Sequence, residues 1–176
     1  LKKSLVYALV IALFMACNDK SQSVNEIKID YNIQKIDTII LNEIDTAFVV
    51  GNKIIDGDIG DKQKEYSIKI YFSNNLPELT YKNAIGADLY LANDLDGDGK
   101  AELLLRPEWF SSCWTSVNLF SLKNNIWKLV KSGSMYYCSD EYPLSKRIVQ
   151  MKQGYSLLTD SLADTKFVTL KKEIKF

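Results

Sequence analysis

Polar and apolar residues alternate along much of this chain. Ile27, Ile29, Tyr31 and Ile33 take every second place, with Lys28, Asp30, Asn32 and Gln34 between them. A period of two puts one side of a strand on a core and the other in water. Tyr66, Ile68, Ile70 and Phe72 repeat the pattern, with Tyr71 as an outward aromatic. Phe48–Gly51 predicts a short strand and turn, and Asn74–Pro77 a turn. Residues 36–44 read two ways. Their β-branched content favours a strand, but Ile33, Ile36, Ile40 and Ile44 are also spaced to line a helix.

The middle of the chain predicts a four-stranded unit. Strands at Asp88–Ala92 and Leu103–Arg106 flank a polar run, and Pro107 is expected to stop the second. Leu103, Leu104 and Leu105 are apolar without a break, which predicts a strand buried on both faces. Ser116–Leu122 and Ile126–Lys131 follow, joined by Asn124–Asn125, residues that tolerate the positive φ of a tight hairpin. Beyond Pro143, Arg147–Met151 and Tyr155–Leu158 form a hairpin about Gly154, and Val168, Leu170, Ile174 and Phe176 pattern a last strand. No long helix emerges. Ten or so short strands between polar turns imply an all-β domain of antiparallel meander sheets. A complete propeller needs at least about four blades, and these strands fill two or two and a half. The expected architecture is therefore one or two propeller-blade-like four-stranded sheets, or a compact two-sheet arrangement.

The N-terminus breaks this pattern. Lys2 and Lys3 precede an apolar run from Leu5 to Met15, followed by Ala16, Cys17 and polar Asn18-Asp19-Lys20. A basic start, a short apolar stretch and a small residue before the cut are the parts of a secretory signal. The run falls short of the roughly 20 residues that span a bilayer. Ala16-Cys17 resembles the lipobox of bacterial lipoproteins, although Phe14 and Met15 depart from its usual residues. That resemblance implies cleavage after residue 16, with lipid on Cys17, and several acyl chains anchor far more firmly than one. An uncleaved signal anchor, or ordinary cleavage leaving Cys17 as a thiol, are the alternatives. Asn18 stands where an Asp would mark inner-membrane retention, which favours the outer membrane of the cell envelope. The division expected is a signal over 1–16, a lipidated Cys17 with a polar tether over 17–26, and one β domain over 27–176.

Charge excludes one class of partner. The chain has 22 basic and 22 acidic residues, and loss of Lys2 and Lys3 leaves 20 against 22. No basic patch stands out, so nucleic acid is not an expected partner. The chain also has no histidine. That removes His-based triads and His-ligated zinc or iron. Ser-Lys and paired-carboxylate chemistry remain as routes to an enzyme, with Glu108 beside Trp109, and Asp140-Glu141 beside Tyr142, as the candidate acids of a hydrolase. No motif positions them, and an enzyme is not the expected reading.

The densest chemistry is the polar run between the two central strands. Counted from Asp94, acidic side chains fall at places 1, 3, 5 and 9: Asp94, Asp96, Asp98 and Glu102. Gly99 supplies a sharp turn, and Lys100 at place 7 can offer a backbone carbonyl. A hard cation such as Ca²⁺ takes six to eight oxygens at roughly 2.3–2.6 Å, which such a run can present. Four carboxylates this close repel one another without a cation. The run resembles an EF-hand loop but lacks its closing Glu, since place 12 is Leu105 and the flanks are strands. It is closer to the β-hairpin calcium loop of FG-GAP (integrin-type) and VCBS-like repeats, D-x-D-x-D-G-x-x-[DE]. That resemblance covers residues 85–134 in a single copy. It implies a loop joining the first two strands of a four-stranded blade, with Asp94, Asp96, Asp98, Lys100 and Glu102 as calcium ligands. A metal-free Asp/Gly turn is the alternative. Asp56-Gly57-Asp58-Ile59-Gly60-Asp61 has the wrong spacing and reads as an exposed turn.

Two cysteines remain, Cys113 and Cys138, and in an exported domain they predict one disulfide. Closing about 25 residues contributes roughly 3 kcal/mol on the chain-entropy model. Trp109, Phe110, Trp114, Tyr136, Tyr137 and Tyr142 crowd around them. These rings form either a platform that stacks on a glycan or grips an envelope protein, or a cover over the disulfide and the sheet ends. Trp127 lies mid-strand and is expected in the core. The functional expectation is a lipid-anchored, calcium-stabilised β domain that binds or scaffolds. A carbohydrate-binding lipoprotein using the Trp109–Trp114 loop is the alternative.

Overall fold

The computed structural model describes residues 33–41, 45–52, 66–110, 113–138 and 142–176. The export signal, Cys17, the tether, most of the strand expected at Ile27–Gln34, the Asp56–Asp61 turn and the acids Asp140 and Glu141 lie outside them. Among the described residues there are eleven strands: β1 (Ile33–Ile40), β2 (Thr46–Asn52), β3 (Ser67–Phe72), β4 (Leu79–Lys82), β5 (Gly86–Leu91), β6 (Leu103–Glu108), β7 (Trp114–Lys123), β8 (Ile126–Tyr136), β9 (Ile148–Gln150), β10 (Tyr155–Ala163) and β11 (Lys166–Glu173). One 3-10 turn, Leu144–Lys146, is the helical element among the described residues. The chain is all-β, and the ambiguous stretch after residue 36 is strand.

Each sheet is an antiparallel meander in chain order: β1 to β4, β5 to β8, and β9 to β11. Three sheets stand where the hydrophobic pattern had strands for two or two and a half. The added strand is β4, which buries only Leu79 and so carries no visible alternation. Tight turns use the residues expected of them. Asn124 and Asn125 sit at φ 54° and 61°, and Gly154 at φ 71°. Asp164 and Thr165 make the same kind of turn at φ 47° and 65° between β10 and β11, an unusual place for a β-branched residue.

Pro107 does not stop β6. The N–H groups of Ile85 and Ala92 donate to the carbonyls of Glu108 and Glu102, so even-numbered residues of β6 face β5 with their backbone groups. Pro107 faces the β7 side instead, where pairing involves only Leu103, Leu104 and Leu105. Its missing N–H leaves no ladder bond unmade, and its carbonyl accepts from the Thr115 hydroxyl at 2.7 Å.

Apolar residues pack in two layers, one on each side of the β5–β8 sheet. On one side Ala47, Val49, Ile68, Ile70 and Leu79 meet Ala87, Leu89, Leu103, Leu105, Phe120, Leu122 and Trp127. On the other, Leu104, Val117, Leu119 and Met135 meet Leu157 and Ile174. The Leu103–Leu105 run therefore serves both layers, as an unbroken apolar strand should. Trp127 is buried, with its indole N–H donating to the Pro77 carbonyl at 2.8 Å. Asn118, also buried, donates to Tyr81, Ser116 and the Leu105 carbonyl and accepts from Ser132.

The third sheet is pressed against β8 at Gly133. A Cβ there would overlap the Thr159 methyl group and stand 2.8 Å from its Cβ. Gly133→Ala is expected to cost about 1–3 kcal/mol by overpacking. In chemical denaturation the loss should shrink in a Thr159→Ala background; strictly additive effects would mean the two positions do not touch.

Candidate metal centre

The acidic run joins β5 to β6, the first two strands of the central meander. Its base is closed by the bond from the Ala92 N–H to the Glu102 carbonyl, 2.7 Å. Side-chain oxygens shape the rest. Asp94 accepts from the Gly97 N–H at 2.7 Å and the Gly99 N–H at 2.8 Å. Asp96 accepts from the Asp98 N–H and Asp98 from the Lys100 N–H. Gly97 and Gly99 sit at φ 79° and 83°, in the left-handed region that suits glycine. Lys100 is exposed.

These bonds bring the expected residues together. One carboxylate oxygen from each of Asp94, Asp96, Asp98 and Glu102 lies within 4.8 Å of the others. Their surroundings differ sharply. Asp94 and Asp98 are exposed, whereas Glu102 is wholly buried. Glu102 Oε2 accepts from the Leu95 N–H at 2.7 Å, while Oε1 is enclosed and accepts no hydrogen bond. Leaving a buried charged acceptor unmet costs about 1–3 kcal/mol or more. Burial is the main force raising the Glu102 pKa. The Leu95 N–H and the nearby Ser121 hydroxyl lower it, and the charges of Asp96 and Asp94 push it up further.

Two residues outside the run complete the cluster. The Ser121 hydroxyl lies 3.2 Å from Asp96 Oδ2. The Lys123 ammonium lies 2.5 Å from Asp96 and 2.7 Å from Asp98. Its bonds to Asp96 and then Asp98 hold its pKa above the ordinary lysine value. The same Lys123 bond is the first cause of the lowered Asp98 pKa. The ladder explains how β7 supplies both. Leu104 pairs with Leu119, and Leu103 with Phe120. Side chains alternate along a strand, so Ser121 and Lys123 share the face of Leu119, just as Glu102 shares that of Leu104. Leu95 packs on the same apolar layer and folds the run over that face. Reading acidic spacing alone misses Ser121 and Lys123. Counting back from the Asn124–Asn125 turn in steps of two finds them.

The aromatic residues meet in several contacts. Trp109 and Phe110 pack edge-on with Tyr66. Trp114 and Tyr136 pair across β7 and β8, and Phe167 of β11 stacks on Tyr136 with centroids 4.3 Å apart. Tyr137 lies over the Arg106 guanidinium, which also pairs with Asp88. Cys113 and Cys138 stand at disulfide distance beside these rings, with Cα atoms 5.2 Å apart. Glu108 of the acid pairs considered for hydrolysis bonds Arg106 at 3.5 Å. A cavity of about 160 Å³ lies by the Tyr136–Phe167 pair, lined also by Tyr142, Arg147 and Asp160. Its polar floor is already engaged. Asp160 accepts from Arg147 at 2.9 Å and from the Tyr136 N–H at 2.8 Å, and Arg147 Nε donates to the Tyr142 carbonyl.

No family model matches this chain, and no curated protein or solved structure matches it either. The functional reading therefore rests on the site. In metal-free buffer, Glu102→Gln is expected to melt at the wild-type temperature or above it. The amide keeps the acceptor for Leu95, removes a buried charge, and places an N–H₂ donor among the carboxylates, a gain of about 1 kcal/mol. A clear loss of stability would show that the charged form is needed for folding without metal.

Proposed function

We propose that this chain is a calcium-braced all-β module, carried at the cell envelope by lipid on Cys17, that acts by binding or scaffolding. The observation that carries the calcium reading is Glu102 Oε1, fully enclosed within the acid cluster and without a partner. An oxygen-only donor set suits hard cations, and a flexible set of carboxylates suits Ca²⁺ better than the strict octahedron of Mg²⁺. Asp94, Asp96, Asp98 and Glu102 would hold the ion through side chains and Lys100 through its carbonyl. The ion would relieve carboxylate repulsion and satisfy the enclosed oxygen. The likeness of the run to the FG-GAP and VCBS-like loop supports the same reading. The lipobox-like Ala16-Cys17 supports the anchor, and Asn18 an outer-membrane destination. The absence of histidine from the sequence supports a non-catalytic role.

A second reading is carbohydrate binding. The half-exposed rings of Trp109 and Trp114, and the cavity beside Tyr136 and Phe167, favour it. Sugar rings stack on such faces. Glycan-array binding that disappears in Trp114→Ala would support this reading, and a flat array would remove it.

Calcium at tenfold to a hundredfold above Kd should add about 1.4–2.7 kcal/mol to folding stability. The melting temperature of the purified protein is expected to rise in 1–2 mM Ca²⁺ relative to EDTA, a concentration about one- to twentyfold over a Kd typical of extracellular sites. In Asp96→Asn that rise should be lost. Equal melting with and without calcium would remove the metal from the reading.

A further inference from the structure

We propose that Lys123 is the affinity-setting residue of the cation site: its ammonium is the resident counter-ion of Asp96 and Asp98, and a divalent ion enters by exchanging with it. This rests on the calcium reading above. Three observations carry it. The ammonium makes close contacts to two of the four expected ligands, at 2.5 Å and 2.7 Å. Asp96, which it grips, has a side chain only 6% exposed, so the contact is not a loose surface pair. The deepest oxygen, Glu102 Oε1, remains unpartnered even with the ammonium in place.

Lysine therefore answers two of the four carboxylates and leaves the deepest oxygen unmet. An ammonium brings one charge and three donors. Calcium brings two charges and accepts six to eight oxygens at once. The ion can reach all four carboxylates together, but only after Asp96 and Asp98 let go of Lys123. Lys123 is 35% exposed, so its head has a path to water while its stem stays on β7. Ser121 remains on Asp96 and holds that carboxylate toward the cluster. The exchange has two consequences. The empty loop stays folded on an internal cation, and the affinity for calcium is weaker than four carboxylates alone would give.

Calcium titration by calorimetry on the full chain tests this, with wild type, Lys123→Gln, Lys123→Arg and Lys82→Gln compared. Lys82 lies at the end of β4, in the first sheet. Lys123→Gln should bind calcium about five- to tenfold more tightly. Lys123→Arg, which keeps the charge, and Lys82→Gln should stay near wild type. Equal dissociation constants for wild type and Lys123→Gln would overturn the exchange and leave the calcium reading standing. No uptake by either protein would overturn both. If Lys123→Gln does not fold, the wild-type Lys123 ammonium signal in NMR gives a second readout. Calcium should move it from a hydrogen-bonded to a freely exchanging state, and an unchanged signal at saturation would also overturn the proposal.

Discussion

Strand β6 is wedged between two apolar layers, and most of this structure depends on that. Leu103 and Leu105 face one layer and Leu104 the other. A strand used on both sides must be flanked by sheets on both sides, so the central meander cannot lie at a surface. Its polar connections are forced to the sheet ends. Glu102 is the last residue before the leucines and shares their burial. A carboxylate at such a place is expensive unless something of opposite charge meets it. The acid cluster is thus less an independent motif than the polar end of a doubly buried strand.

Within the cluster, hydrogen bonding and charge act at different depths. Backbone N–H groups of Gly97, Gly99, Asp98 and Lys100 satisfy the three aspartates and give the turn its shape. Those bonds would exist in any Asp/Gly turn. Lys123 and Ser121 reach across from β7 and bind the loop to the neighbouring strand. Within the cluster, Glu102 Oε1 is the buried oxygen that accepts no hydrogen bond from the described residues. The cluster is therefore graded, from hydrogen-bonded aspartates to a buried glutamate oxygen without a hydrogen bond, and the calcium reading rests on that oxygen.

Much of the fold was legible in residue order because strands advertise themselves by period and turns by chemistry. The Tyr66–Phe72 alternation, the unbroken Leu103–Leu105 run and the Asn124–Asn125 turn all correspond to observed elements. β4 was hidden because one buried leucine gives no period. The extension of β6 through Pro107 was hidden because a proline's effect depends on which neighbour its nitrogen faces, and that is a property of the sheet. The acidic residues of the loop were legible from spacing. Ser121 and Lys123 are some twenty residues away and join the loop only through strand pairing. The aromatic contacts were not legible from residue order. Their nearness in sequence does not show which rings meet: the way the sheets pack brings Trp109 to Tyr66 and Trp114 to Phe167.

The Cys113–Cys138 pair has a mechanical consequence. It closes the β7–β8 ribbon at the end opposite its Asn124–Asn125 turn, next to the bond from the Tyr137 N–H to the Cys113 carbonyl. With both ends joined, the two strands form a covalent ring. A protease that cuts the exposed turn would leave Lys123 and its strand still fastened to the partner strand through sulfur. Such a ribbon can be nicked without being dismantled.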